Sequence, residues 1–105
     1  MFEARHILFA AAPNDAKARA ESREQAKQVI DELKRDPSCF AALAEALSAC
    51  PSSKVGGSLG QIGPGQTVPE FERALSTIAS GEVAADPVET RYGIHVVVVD
   101  RRIEG

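Results

Sequence analysis

The four consecutive valines from Val96 to Val99, inside the run 94–101, constrain this chain more than any other feature. β-Branched side chains at every position suit a strand buried on both faces, which puts the run in the middle of a sheet. A second strand candidate, residues 87–90, precedes it with only Arg91, Tyr92 and Gly93 between. So short a connection pairs the two as an antiparallel hairpin and disfavours a doubly wound parallel fold.

The rest of the chain supplies neighbours for that strand. Residues 5–9 read as a short strand, with His6 and Leu8 on one face and Arg5, Ile7 and Phe9 on the other. Residues 10–14 break the pattern, and Asn14 or Asp15 caps a long helix running to about Arg35. Its apolar stripe is Ala26, Val29, Ile30 and Leu33; Glu24, Lys27, Asp31 and Arg35 form the solvated face, with Asp31 and Arg35 paired one turn apart. Ser22-x-x-Gln25 offers a capping box as a later start. Asp36-Pro37-Ser38 stops this helix and opens a second, capped by Asp36 or Ser38, with the stripe Phe40, Leu43, Ala44 and Leu47. Residues 59–62 form a short strand. Residues 69–78 form a third helix carrying Phe71, Leu75 and Ile78 on one side, ended by Ser80-Gly81. The order predicts an α+β fold: an antiparallel four-stranded sheet surrounded by three to four helices.

At 105 residues the chain makes one domain, residues 1–105, with a single modest core. A net charge of -3, from 12 basic and 15 acidic residues, argues against nucleic acid as a partner, because neutralising phosphate needs clustered Lys and Arg. No apolar run approaches the roughly 18–20 residues needed to cross a bilayer. The first five residues lead straight into a strand without a secretory signal, and the C-terminal six stop just past one, as in a domain cut from a longer chain. Two cysteines are too few for a disulfide scaffold and fit no zinc-ligand spacing. Cys39 reads as a small buried apolar side chain at a helix start.

Residues 50–71 hold five glycines and three prolines, a loop and short strand held in one path. A thiol, Cys50, opens the stretch, and Val68, Pro69 and Phe71 close it. The two histidines sit near opposite ends of the chain. If the first and last strands are neighbours, His6 and His95 share one apolar face and can hydrogen-bond, both neutral near pH 7. Three chemistries compete for Cys50, His6 and His95. A thiol hydrolase would pair Cys50 with an imidazole, but Cys50 precedes a proline-led turn rather than a helix start that would lower its pKa. A metal site of two imidazoles and a thiolate lacks a carboxylate at a suggestive spacing to orient it. The third is non-covalent catalysis on a peptide bond.

Five blocks in order carry a resemblance over essentially the whole chain: Ala4-Arg5-His6-Ile7-Leu8; Phe40-x-x-Leu43-Ala44-x-x-x-Ser48-x-Cys50-Pro51-Ser52; Gly56-Gly57-x-Leu59-Gly60; Gly65-Gln66-x-Val68-Pro69-x-Phe71; and Pro87-Val88-x-Thr90-x-Tyr92-Gly93-x-His95. The chain resembles the parvulin-type (rotamase) peptidyl-prolyl cis/trans isomerases. That resemblance implies a cofactor-free, metal-free isomerase acting on proline-containing peptides or unfolded proteins. It further implies one hydrogen-bonded network of His6, His95, Cys50 and Thr90, with Leu59, Val68 and Phe71 lining a pocket for the proline ring. Tyr92 falls where the family often has an aromatic or small polar residue. Thr67 departs from the pattern, standing where many members carry a methionine against the proline, which loosens the pocket. The loop after the first strand lacks the basic cluster of the phosphate-directed branch, implying no phosphate requirement and an uncharged residue before the proline. A monomer is the default state. As a whole protein the chain would be cytoplasmic; as one domain of a larger foldase it would suit the periplasm or cell envelope. The alternative is a non-catalytic, chaperone-type peptide-binding module of the same fold.

Overall fold

The computed structural model describes residues 2–63 and 65–102. Pro64 of the glycine-rich stretch and the last three residues lie outside the described residues. The element order is β1 (Phe2–Ala10), α1 (Ala16–Arg35), α2 (Phe40–Leu47), β2 (Ser58–Ile62), α3 (Pro69–Thr77), β3 (Glu82–Val83), β4 (Val88–Thr90) and β5 (Gly93–Arg102). Two 3-10 turns, Pro37–Cys39 and Pro51–Val55, lead into α2 and β2.

Every strand pairing is antiparallel, in the order β2-β1-β5-β3, with β4 also on β5. The valine run therefore lies where its composition put it, in a strand flanked on both edges. Val96 and Val98 face α1 and α2 in one core cluster; Val97 and Val99 face α3 in the other. Each such side chain is worth about 1.5–3 kcal/mol on removal from water, so the central strand anchors both layers.

The fold is α+β as expected, with a fifth strand added. β3 is two residues long, too short for any alternation to announce it, and exists because β5 offers it Val98 and Val99 as partners. At α1 the Asp15 carboxylate accepts from the Ala18 amide, so the helix starts there, and Ser22 is buried inside it. The stripe Ala26, Val29, Ile30 and Leu33 is buried as expected. Asp31 and Arg35 form no ion pair among the described residues, since two exposed side chains gain little from one. The Asp36 carboxylate accepts from the Ser38 amide and opens the 3-10 turn before α2. Leu47 ends α2 exposed at 45%, because the chain turns away to stitch onto β1. Cys39 is half-buried rather than buried, packed at the margin of the α1/α2 core.

Gly93 is fixed by close approach. With φ +147° it starts β5, and a Cβ there would meet the Phe9 carbonyl oxygen at 2.2 Å. That contact lets β1 and β5 run side by side from Ala10↔Gly93 onward. Among the described residues no helix is long and apolar enough to cross a membrane.

Candidate active site

Because β1 and β5 are neighbours with Leu8 opposite His95 and His6 opposite Val97, the two histidines are diagonal neighbours on the α3 face. Their Nδ1 atoms are 3.0 Å apart, and both residues are at least 94% buried, at 6% and 4% exposed. The rings lie edge to edge at 21°, with centroids 5.1 Å apart.

The proton positions follow from the partners. The Tyr92 amide donates to Thr90 Oγ1 at 3.2 Å, and Thr90 Oγ1 lies 2.7 Å from His95 Nε2. Among the described residues His95 Nε2 is the one acceptor for the Thr90 hydroxyl, so that hydroxyl donates to it. His95 then carries its proton on Nδ1 and donates to His6 Nδ1. His6 in turn carries its proton on Nε2, which has no hydrogen-bond partner among the described residues. A directed chain thus runs from the Tyr92 amide to His6, with both rings neutral. Burial pushes His6 down to about 4. Burial, then the neighbouring His6 and the Arg19 charge, push His95 down to about 3.

Phe71, from the first turn of α3, closes this face. Its ring meets His6 edge-on at 5.8 Å and 89°, and His95 at 5.3 Å and 68°. Pro69 at the start of α3 needs no amide partner, and Val68 accepts from Phe71 and Glu72, so the helix turn points the ring inward. Above the rings opens a cavity of about 490 Å³. His6, Leu59, Thr67, Val68, Phe71 and Tyr92 all line it, together with Gly65, Gln66, Pro69 and Arg91. All five residues expected to contact substrate therefore share one hollow. Its floor is apolar and aromatic, and its rim is polar.

Cys50 is the exception. Thr90 joins the imidazole network, but the Cys50 thiol makes no hydrogen bond among the described residues and does not line the cavity. Its backbone is what the fold uses. The Ser48 hydroxyl accepts from the Leu8 and Cys50 amides, and the Ala49 amide donates to the Leu8 carbonyl. Further along, the His6 amide donates to the Gly57 carbonyl at 2.9 Å. Gly57 has φ +83°, and a Cβ there would sit 2.5 Å from the His6 carbonyl oxygen, so only glycine allows this approach. The segment 48–57 thus clamps onto β1 at Leu8 and at His6.

Sequence reasoning missed Arg19. Its guanidinium donates to the Ala11 and Thr90 carbonyls at 3.1 and 2.7 Å, tying the turn that carries Thr90 to α1 and to the loop after β1. Glu89, held below the usual carboxylate range mainly by its hydrogen bond to Arg23, also faces Arg19 at 3.6 Å. The cue was thin: an arginine on the exposed side of a helical pattern. Among the described residues no three His, Cys, Asp or Glu side chains converge as metal ligands would.

Residues 6–101 match the Rotamase family, PPIC-type PPIASE domain. The chain is 37% identical over 102 residues to the Chaperone SurA of Cupriavidus pinatubonensis, covering 97% of this chain and 20% of that protein. It therefore spans about a fifth of the length of that relative. Among solved structures, a PpiC-type peptidyl-prolyl cis-trans isomerase domain superposes with a TM-score of 0.88 at 26% identity, covering 99% of this chain and 92% of the other. PrsA from Bacillus subtilis does so with a TM-score of 0.78 at 31% identity, covering 96% of this chain and 35% of PrsA.

Proposed function

This chain belongs to the PPIC-type PPIASE domain (Rotamase) family, and on that premise we propose that it catalyses cis/trans isomerisation of X-Pro bonds in unfolded or exposed polypeptide. The observation that carries the reading is the aromatic-floored cavity set on two neutral, hydrogen-bonded imidazoles.

The reaction needs no strong acid or base. An X-Pro bond rotates over tens to hundreds of seconds against a barrier of about 18–20 kcal/mol. About 10–1000 turnovers per second requires about 4–7 kcal/mol of relief, at 1.36 kcal/mol per decade. The planar amide owes its stability to charge separation that the twisted amide lacks, so an apolar cavity favours the twisted state relative to water. Leu59, Val68 and Phe71 hold the pyrrolidine while the preceding carbonyl swings. The neutral network keeps both rings in place without adding a charge that would favour the planar amide. His6, His95 and Thr90 are in this reading the hydrogen-bonded network beneath the floor of the site, and Thr67 and Tyr92 part of its wall. Thr67 makes the grip on the ring looser than a methionine would.

Cys50 has no covalent role in this scheme. Replacing Cys50 with Ser is expected to keep kcat/KM for an X-Pro peptide within about threefold of the wild type, as measured in a coupled isomerisation assay, since an iso-shaped change outside the cavity costs under about 0.7 kcal/mol. Loss of activity by about a hundredfold, or an acyl-enzyme in the mass spectrum of the wild type, would establish a nucleophile instead. The second reading, a chaperone-type module that holds extended chain without turnover, is favoured by one observation: the similarity to Chaperone SurA over nearly all of this chain.

A further inference from the structure

We propose that Arg91 makes the cavity selective for polypeptide carrying an acidic side chain next to the proline. The proposal rests on the isomerase reading for the location of the substrate, and it names the class of substrate that the site prefers.

Of the ten described residues lining the cavity, Arg91 alone carries a formal charge, because the network leaves His6 neutral. Its guanidinium lies over the Tyr92 ring at 5.2 Å and spends one donor on the Tyr92 hydroxyl, at 3.3 Å. Tyr92 is itself 55% exposed, so the pair forms a raised edge on the cavity rather than part of its floor. Stacking on an aromatic plane restricts the guanidinium and leaves its remaining N–H groups open to a planar acceptor.

The carboxylates around it are engaged elsewhere. Glu72 of α3 accepts from the Gly65 amide. Glu89 of β4 takes two hydrogen bonds from Arg23 and faces Arg19. Glu70, which shares the adjoining groove with Arg91, sits 4.0 Å from Arg73. Among the described residues, none of these carboxylates forms an ion pair with Arg91. The other nearby cations are committed: Arg19 to the Ala11 and Thr90 carbonyls, Arg23 to Glu89. The rim of the cavity thus holds one uncompensated positive charge, which attracts a carboxylate brought in beside the proline. The sequence pointed to an uncharged residue, from the missing basic cluster in the loop after β1. Arg91 comes from the opposite side, the β4–β5 turn, and its relation to the cavity appears only in the fold.

The test uses the 105-residue chain and matched peptides with Glu, Gln or Lys placed directly before or directly after one proline. Both kcat/KM and affinity are measured at low and high ionic strength. At low salt, Glu in one of the two positions is expected to exceed Gln by about three- to fivefold in both quantities, the size of a partly exposed ion pair. High salt, which shortens the screening length to about 3 Å near 1 M, is expected to bring the ratio close to one. Arg91→Gln is expected to abolish the ratio at low salt, and Arg91→Glu to reverse it towards Lys. Equal treatment of Glu and Gln by the wild type, or a preference that survives Arg91→Gln, overturns the proposal. Absence of turnover on every peptide counts against the isomerase reading alone, since the affinity ratio still decides whether Arg91 selects for acid.

Discussion

Replacing Phe71 with alanine is expected to lower kcat/KM for an X-Pro peptide by about 30- to 100-fold. The ring is 3% exposed, meets both imidazoles edge-on, and forms the apolar floor of the cavity. Its loss removes about 2–2.7 kcal/mol of contact with the substrate ring and lets water reach the face that favours the twisted amide. Phe71 also belongs to the α3 core, so the change costs about 3–5 kcal/mol of stability as well. Leu75→Ala separates the two effects. Leu75 is completely buried in the same core but does not line the cavity. It should lose about 2–5 kcal/mol of stability with kcat/KM per folded molecule nearly unchanged. Equal activity losses in the two variants, after correction for the folded fraction, would show that Phe71 acts only through the core.

The second large effect is on stability in mild acid. His6 titrates at about 4 and His95 at about 3 in the folded chain, against 6.5 for either ring when exposed. The unfolded chain therefore takes up protons first as the pH falls below 6.5. The contribution of the neutral rings is complete above that value. Each ring then loses up to about 1.4 kcal/mol per pH unit, until it titrates in the fold itself. At pH 5 the pair together should have lost about 3–4 kcal/mol. Glu89, whose carboxyl is also held low, adds its own loss only as the pH falls through the carboxylate range. Urea unfolding at pH 7 and pH 5 measures the histidine part. Isomerase activity, by contrast, should show no titration near 6.5 while the chain stays folded. Equal stability at the two pH values would mean that neither ring is held neutral by burial, and a loss of about half that size that only one of them is.

The sheet was legible because its central strand has an extreme composition, and the helices because Ala26, Val29, Ile30 and Leu33 repeat at helical spacing. The shared face of His6 and His95 was also legible. A period of two puts His95 with Val97, and only the adjacency of the first and last strands had to be supposed. What could not be read depends on partners distant in the chain. β3 is defined by its neighbour rather than by its own two residues. Arg19 meets the Thr90 carbonyl 71 positions away, and Arg91 acquires its place through the turn that Arg19 holds. Cys50 shows the opposite failure. Its place inside a dense motif suggested a role for the thiol, whereas the Ser48 hydroxyl and the Gly57 carbonyl do the positioning by accepting from the Leu8 and His6 amides.

Turnover in this cavity can be read by exchange spectroscopy on a proline peptide at cis/trans equilibrium. With a catalytic amount of the chain, exchange cross-peaks between the cis and trans resonances are expected on a sub-second timescale, where the free peptide shows none. Line broadening from binding with no cis/trans cross-peak, at peptide concentrations that saturate the cavity, would contradict it.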